Sequence, residues 1–279
     1  MNFSEKTAVV TGGSRGLGRA ICLELARGGA NVVLCYAGNE AAANETVAAC
    51  ESLGAKTVAI RCDVSKEDEV KALMDAALKT FGRIDILVNN AGFGISGAVE
   101  FTSTEDAKAL FDVNFFGMVN LNRAVVPIMR AAGRGRIVNL SSVAAPVPIP
   151  FQTYYSATKA AVNAYTMALA NELRPFGVTV CAVMPGDIHT GFTAARRKIG
   201  EGDDIYHGRI SRSVARMEHD EQTGMDPAKA GGYIAGVALR EGNRHPLYAI
   251  RFDYKFFTFL AKVLPARFLN WLIYLLYGK

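Results

Sequence analysis

Hydrophobic and polar positions follow two alternating periods along most of the chain. Short apolar, β-rich runs are typical of buried strands and lie near residues 6–11, 31–35, 57–61, 84–88, 135–140 and 178–184. Between them, apolar residues recur at helical spacing and predict helices near residues 16–28, 39–53, 66–81, 104–131 and 153–174. The alternation predicts an α/β fold, with a single Rossmann-type, doubly wound parallel sheet and helices on both faces.

Two segments depart from this pattern. Residues 187–225 are charged and lack a clear period, so both a mobile lid over a substrate pocket and an exposed connector are open; we favour the lid. Residues 252–279 are apolar and aromatic, and Pro265 suits the first turn of a second helix there. We therefore predict one cofactor-binding and catalytic domain over 1–251, followed by a C-terminal apolar extension of two helices over 252–279.

The C-terminal extension has three open interpretations. Each helix is shorter than the roughly 20 apolar residues that a bilayer requires. The helices could cap the substrate pocket, lie in a membrane surface or form a dimer interface; we favour a pocket cap with interfacial contact. Membrane contact is chemically reasonable because aromatic and basic side chains suit anionic headgroups. From residue 244 onward, Asp253 is the one acid, against the basic residues Arg244, Arg251, Lys255, Lys262, Arg267 and Lys279.

Bulk composition narrows the function classes. A chain of 279 residues, half of them hydrophobic and a fifth charged, fits one globular domain. The net charge of +5 resides in the C-terminal segment, so the basic residues are not a nucleic-acid footprint spread over the fold. The five cysteines are scattered, and the four histidines show no ligand spacing. This pattern predicts free buried thiols, a cytoplasmic location and no metal.

The first candidate site is a glycine-rich turn. The apolar run Lys6–Thr11 leads directly into Gly12-Gly-Ser-Arg-Gly-Leu-Gly18, and helical periodicity follows. Glycine lets a backbone turn sharply and approach a ligand closely. The amide groups at the start of the next helix then favour a phosphate. A strand, turn and helix in this order predict a dinucleotide site.

The second candidate site is a tyrosine–lysine pair. Tyr155 and Lys159 are four residues apart in a predicted helix, which places them on one face. A neighbouring ammonium group should lower the pKa of a phenol from about 10 and make a proton relay possible. Tyr154 lies five residues from Lys159 and therefore on a different face.

Together these motifs resemble the short-chain dehydrogenases/reductases. Thr11-Gly-x-x-x-Gly-x-Gly18, Asn89-Asn-Ala-Gly92, Asn114, Ser142, Tyr155-x-x-x-Lys159 and Pro185-Gly186 occur in that family's order and spacing, from about residue 4 to about residue 195. The resemblance implies a nicotinamide cofactor. The second strand ends at Tyr36-Ala-Gly-Asn39 without an acid, and Arg15 is placed to meet a ribose 2′-phosphate, so we predict NADP rather than NAD.

The resemblance also implies the roles of four catalytic residues. Tyr155 would donate the proton, and Ser142 would hydrogen-bond the substrate oxygen, with Ser141 as an alternative that spacing leaves open. Lys159 would lower the pKa of Tyr155 and bind the nicotinamide ribose. Asn114 would hold a water-linked proton path near Lys159.

By the same resemblance, the cofactor cleft is formed by a larger set of residues. Asp63 could equally cap the helix that starts near Ser65. The predicted cofactor-binding residues are Gly12, Ser14, Arg15, Gly16, Leu17, Gly18, Tyr36, Asp63, Val64, Asn90, Ala91, Gly92, Tyr155, Lys159, Pro185, Gly186, Ile188 and Thr190.

We therefore expect an NADP(H)-dependent oxidoreductase that interconverts a ketone and a secondary alcohol. The C-terminal end is similar to those of steroid- and retinol-type members, which favours a bulky hydrophobic substrate such as a hydroxysteroid. A 3-oxoacyl-thioester reductase of the acyl-carrier-protein type is the alternative, and a non-catalytic NADP-binding regulator is the alternative of another class. The resemblance implies a homo-oligomer, either a tetramer or a dimer through the helices at 104–131 and 153–174.

Overall fold

The computed structural model describes residues 1–240, 242 and 245–279; Arg244 lies outside them. Its strands are β1 (Thr7–Thr11), β2 (Asn31–Tyr36), β3 (Thr57–Arg61), β4 (Ile86–Asn89), β5 (Ile95–Ser96), β6 (Gly135–Leu140), β7 (Val178–Met184), β8 (Arg197–Lys198) and β9 (Leu247–Ala249). Its helices are α1 (Gly16–Arg27), α2 (Glu40–Glu51), α3 (Glu67–Phe81), α4 (Thr104–Phe111), α5 (Gly117–Ala131), α6 (Thr153–Glu172), α7 (Phe192–Ala195), α8 (Arg209–Gln222), α9 (Pro227–Ala238), α10 (Phe252–Val263) and α11 (Ala266–Ile273).

The central sheet is parallel, in the order β3-β2-β1-β4-β6-β7-β9. Strand β1 pairs with β2 on one side and with β4 on the other, so the direction of winding reverses between β1 and β4. In open parallel sheets, ligands bind at such a reversal, outside the carboxyl ends of the strands. The glycine-rich turn after β1 and the Asn89–Gly92 segment after β4 meet at this edge.

Helices cover both faces of the sheet. Alternate side chains of β1 point to opposite layers: Ala8 and Val10 pack with residues of α1, α2 and α9, and Val9 packs with residues of α3, α5 and α6. Both layers are built from buried aliphatic side chains. The predicted α/β doubly wound fold is confirmed.

Two details of the sheet and its helices differ from the prediction. Strand β9 was not predicted, because its three residues are too few to show a period; it pairs with β7 through Ala182 and Leu247. The helix predicted over 104–131 is interrupted by a π-helical turn at Asp112–Phe116. The turn contains the buried Asn114, whose side chain bonds to a neighbouring loop.

Residues 187–225 are more ordered than their charge pattern suggested. They contain α7, β8 and α8, and β8 pairs with β5 through Ile95 and Arg197. Helix α8 buries Ile210, Ser213 and Met217 at helical spacing, which its many charged residues obscured in the sequence. The segment packs over the carboxyl edge of the sheet; its movement as a lid stays a prediction.

The C-terminal extension consists of two helices on either side of Pro265. Helix α10 has 12 residues, and the eight residues of α11 continue into a π-helical turn at Tyr274–Gly278. Among the described residues, no helix is both long enough and apolar enough to span a bilayer. The five cysteines are buried and unpaired.

Adjacent glycines in α9 give a matched test of its close packing on α1. A Cβ on Gly231 would lie 2.8 Å from the Ala20 carbonyl carbon, whereas a Cβ on Gly232 would meet nothing closer than the Glu24 carboxylate at 3.8 Å. We expect Gly231→Ala to lower the free energy of unfolding by about 1–3 kcal/mol, because backbone must shift. Gly232→Ala should be neutral or stabilising by up to about 1 kcal/mol. Denaturant unfolding measures both, and equal effects would contradict this packing.

Candidate active site

A cavity of about 770 Å³ lies at the carboxyl edge of the sheet. It runs from the glycine-rich turn, past the start of α6, to the side chains of the C-terminal extension. Each predicted cofactor residue lines this cavity: Gly12, Ser14, Arg15, Gly16, Leu17, Gly18, Tyr36, Asp63, Val64, Asn90, Ala91, Gly92, Tyr155, Lys159, Pro185, Gly186, Ile188 and Thr190. The carboxyl edge of the sheet thus brings together residues that are far apart in the sequence; Gly12 and Thr190 are separated by 178 positions.

The turn after β1 depends on glycine at three positions. Gly12 and Gly16 have backbone φ angles of +62° and +54°, a region that residues other than glycine rarely adopt. A Cβ on Gly18 would lie 2.1 Å from the Gly12 carbonyl oxygen, so the turn closes only with glycine there. The Asn90 side-chain amide donates to the Thr11 carbonyl at 2.9 Å and holds the turn against the loop after β4. Helix α1 then begins at Gly16 with its amide groups at the cavity.

The Asp63 carboxylate braces the turn before α3. Its Oδ1 accepts hydrogen bonds from the Ser65 amide at 3.0 Å and from Ser65 Oγ at 2.8 Å. Helix α3 itself begins later, at Glu67, without a side-chain cap from Lys66. Asp63 therefore braces the turn but does not cap α3, and it also lines the cavity.

Tyr155 and Lys159 lie together on α6, as their spacing predicts. Lys159 Nζ is 5.6 Å from the Tyr155 ring centroid and donates a hydrogen bond to the Leu140 carbonyl at 2.8 Å. The Ser142 hydroxyl lies beside the Tyr155 phenol and lowers its pKa. The Ser141 hydroxyl instead donates to the Lys159 carbonyl at 3.1 Å, which favours Ser142 as the group that faces a substrate.

Burial dominates the electrostatics of this pair. Desolvation raises the pKa of Tyr155 to about 12, although the Ser142 hydrogen bond and the Arg196 charge lower it. Desolvation also lowers the pKa of Lys159 to about 8. The expectation that Lys159 holds the Tyr155 pKa below its usual range is therefore wrong in this structure, because the cost of burying a phenolate exceeds the benefit of the neighbouring cation. At neutral pH the phenol keeps its proton.

Asn114 lies behind this pair rather than in the cavity wall. Its Oδ1 accepts from the Phe93 amide at 3.0 Å, and its Nδ2 donates to the Phe93 carbonyl at 3.0 Å and to Thr158 Oγ1 at 3.3 Å. These bonds join the π-helical turn, the loop after β4 and α6. Single π turns inside helices are frequent at functional sites.

Comparison with known proteins agrees with this geometry. The family model described as short chain dehydrogenase matches residues 6–199. This chain belongs to the short-chain dehydrogenase family. Homologous relatives of this short-chain dehydrogenase are reductases, and the chain is an oxidoreductase that acts on a ketone or alcohol with a nicotinamide cofactor.

Two relatives and two solved structures illustrate the similarity. A 3-ketodihydrosphingosine reductase of Bacteroides thetaiotaomicron is 41% identical over 182 residues, 64% of this chain and 67% of that protein. A 3-oxoacyl-[acyl-carrier-protein] reductase of Synechocystis sp. is 42% identical over 191 residues, 68% and 77% of the two chains.

The solved structures contain different cofactors. A short-chain dehydrogenase of Burkholderia phymatum in complex with NAD has a TM-score of 0.81 and 28% identity, and the match covers 93% of this chain and 94% of that one. One of Burkholderia cenocepacia in complex with NADP has a TM-score of 0.75 and 30% identity, over 91% and 100%. A nicotinamide cofactor is thus supported for this dehydrogenase.

Sequence reasoning missed the residues that form the apolar half of the cavity. They come from α7, α8 and the C-terminal extension, and include Phe192, Met217, Tyr254, Phe257, Ile273, Leu276 and Tyr277. The aromatic content of the extension was visible in the sequence, but which face meets the cavity depends on packing. The structure therefore places the C-terminal helices as part of the cavity wall.

A buried ion pair lies within residues 187–225, beside this wall. The Arg196 side chain has no solvent exposure, and its Nη2 pairs with Glu221 Oε1 on α8. The guanidinium also lies 5.8 Å from the Phe192 ring centroid. Thr193 Oγ1 donates to the same carboxylate. One compensated charge pair thus joins α7 to α8.

Removal of one partner should cost more than removal of both. We expect Glu221→Leu to lower the free energy of unfolding by about 3–5 kcal/mol, because it leaves the Arg196 charge buried and unpaired. The double variant Arg196→Met with Glu221→Leu should recover much of that loss. Denaturant unfolding of the two single variants and the double variant measures the coupling, and additive losses would show that the pair does not act as a unit.

Proposed function

We propose that this short-chain dehydrogenase is an NADP(H)-dependent reductase of bulky hydrophobic ketones. The observation that carries the proposal is the position of Tyr155, Ser142 and Lys159. They lie where the cavity passes from the glycine-rich turn to an apolar wall built by the C-terminal helices. A cofactor held at the turn and a hydrophobic ketone held at the wall would meet beside the phenol.

The residues around the phenol account for the proton transfer. When bound, NADPH supplies the hydride that reduces the carbonyl carbon. Tyr155 donates its proton to the carbonyl oxygen as negative charge develops there, and Ser142 orients that oxygen by a hydrogen bond. Because burial keeps the phenol protonated at neutral pH, Tyr155 is ready to act as an acid. The charged form of Lys159 lies close enough to stabilise the phenolate until the phenol regains a proton from water.

Several features favour NADP over NAD. Arg15 is exposed at the cavity rim, directly before α1. The stretch from Tyr36 to Asn39 that lines the same end contains no carboxylate. Arg61, exposed at the end of β3, donates to the Ala37 carbonyl at 3.3 Å and adds a second cation nearby. A 2′-phosphate would thus meet positive charge.

A charge deletion tests the cofactor preference. We expect Arg15→Ala to raise the KM for NADPH by roughly 10- to 100-fold, since a charge-assisted contact is lost, with little change for NADH. Arg19→Ala is the matched control, because Arg19 lies one turn further along, within α1, and pairs with Glu45 at 3.6 Å. Steady-state kinetics with both cofactors give the answer. An equal effect of Arg15→Ala on the KM values for NADH and NADPH would contradict a contact between Arg15 and the 2′-phosphate.

The apolar wall distinguishes the substrate classes. Phe257, Ile273 and Leu276 offer hydrophobic contact, which suits a long alkyl chain or a steroid. The second candidate is a 3-oxoacyl thioester, which the name of the Synechocystis relative supports. A non-catalytic NADP-binding regulator would not require Ser142, Tyr155 and Lys159 in this arrangement.

A substrate panel tests the function. NADPH oxidation is followed with a steroid ketone, 3-ketodihydrosphingosine, a 3-oxoacyl thioester and a small ketone. We expect turnover of the bulky hydrophobic ketones to exceed that of the thioester and the small ketone. Tyr155→Phe should reduce turnover by roughly 10²–10⁴-fold with NADPH binding nearly unchanged. Preference for the thioester would support the second candidate, and no turnover of any compound would favour the regulator.

We also propose that the outer face of α10 contacts an anionic membrane surface. Phe252, Phe256, Phe259 and Val263 recur at helical spacing, and Phe256 and Phe259 are 51% and 56% exposed. Lys255 and Lys262 lie on the same helix, whereas its acid, Asp253, is paired with Arg251. An aromatic face with basic neighbours suits the headgroup region.

Vesicle sedimentation tests this contact. We expect the protein to bind phosphatidylcholine vesicles more strongly when they contain phosphatidylserine. Phe256→Glu with Phe259→Glu should abolish binding, whereas Phe176→Glu, an exposed phenylalanine outside the extension, should not. Binding that persists in the double variant would exclude α10 as the contact. A loss of self-association instead would support the dimer interpretation of the extension.

The homo-oligomer implied by the family resemblance stays a prediction. The helices predicted for a dimer interface correspond to α4, α5 and α6. Phe116, in the π turn between α4 and α5, is 51% exposed, and Met167, on α6, is 42% exposed. These exposed apolar side chains are consistent with a contact there.

A further inference from the structure

One carboxylate in the apolar half of the cavity has no role in the proton transfer described above. Asp187 follows Pro185 and Gly186 and lines the same cavity as Tyr155. Its Oδ2 accepts a hydrogen bond from Tyr254 Oη at 2.6 Å. The Asp187 backbone amide in turn donates to Tyr254 Oη at 2.9 Å. The Tyr254 ring packs so closely on Gly186 that a Cβ there would lie 2.0 Å from the ring. The C-terminal extension therefore holds Asp187 at the cavity wall.

Asp187 forms no ion pair with the residues that the structure describes, and the charge of Arg251 acts on it only from beyond salt-bridge distance. Within the described part of the chain, no Lys, Arg or His nitrogen lies within 4 Å of its carboxylate. The nearby acids differ, because Glu221 pairs with Arg196 and Asp220 pairs with Arg216. An unpaired carboxylate in an apolar cavity is unfavourable. Burial accordingly raises the pKa of Asp187.

We propose that Asp187 binds a protonated amine of the substrate, which makes the hydrophobic substrate an amino ketone with its amine near the reacting carbonyl. The inference rests on the proposed ketone reduction and specifies its substrate class. Asp187 and Tyr155 line the same cavity, together with Gly186 and Phe192. An ammonium group beside the carbonyl would therefore reach Asp187, with the alkyl part against Phe257 and Ile273.

Two other roles of Asp187 make different predictions. If Asp187 only anchors Tyr254 and α10, removal of the Tyr254 hydroxyl should have the same effect as removal of the charge. If Asp187 orients the cofactor, loss of its charge should weaken NADPH binding. Asp187→Asn retains an oxygen that can accept from Tyr254 but lacks the negative charge, and Tyr254→Phe retains the charge but lacks the hydroxyl.

The test compares an amino ketone with its deamino analogue. The kcat/KM for 3-ketodihydrosphingosine and for the same chain with hydrogen in place of the amine is measured for the wild type, Asp187→Asn and Tyr254→Phe. We expect the wild type to prefer the amino ketone, and Asp187→Asn to lower that preference by at least about tenfold, since a charge-assisted contact is lost. Tyr254→Phe should retain most of the preference. Thermal unfolding and the Kd for NADPH serve as controls for folding and cofactor binding.

The outcomes separate this inference from the proposed function. Equal kcat/KM of the wild type for both ketones, or an unchanged preference in Asp187→Asn, would overturn the amine site while ketone reduction stands. A weakened Kd for NADPH in Asp187→Asn with unchanged substrate preference would assign Asp187 to the cofactor. Reduction of the steroid ketone of the substrate panel but of neither long-chain ketone would overturn the amine site alone. If none of the three is reduced, the proposed function fails and the amine site with it.

Discussion

Desolvation at the carboxyl edge of the parallel sheet is the constraint on which the site depends. The carboxyl ends of β1, β4, β6 and β7 lie side by side at this edge. The polar groups of Tyr155 and Lys159 are desolvated there. Burial raises the pKa of Tyr155 and lowers that of Lys159, so both shifts oppose charge. Specific hydrogen bonds satisfy these buried groups; for example, Lys159 Nζ donates to the Leu140 carbonyl. A protonated phenol therefore lies beside a lysine, as the proposed proton donation requires.

The segments outside the family motifs complete the cavity. The pair of Arg196 with Glu221 joins α7 and α8, and the bond between Tyr254 and Asp187 ties the C-terminal extension to the loop after β7. Both contacts enclose the apolar half of the cavity. As a result, the segments that we propose to contact the substrate also cover the phenol. Changes in the extension should therefore affect both substrate preference and proton transfer.

The sequence predicted the parts of this arrangement that follow from local rules. Glycine spacing located the turn at Gly12–Gly18, and the four-residue interval placed Tyr155 and Lys159 together. Parallel topology then implied one shared edge. What could not be predicted depends on tertiary packing: the π turn around Asn114, the short strand β9, and the face that α10 turns to the cavity. The direction of the Tyr155 pKa shift belongs here too, because spacing reveals the neighbouring cation but not the extent of burial.

The most direct test of this account is the ionisation of Tyr155. NMR of protein labelled with ¹³C at tyrosine Cζ, with Tyr155→Phe to assign the resonance, follows the phenol through a pH titration. The account predicts that Tyr155 remains protonated well above the usual phenol pKa of about 10 and titrates at about 12. A titration at or below about 10 would show that Lys159, and not burial, sets the pKa of the phenol, and would contradict the central claim.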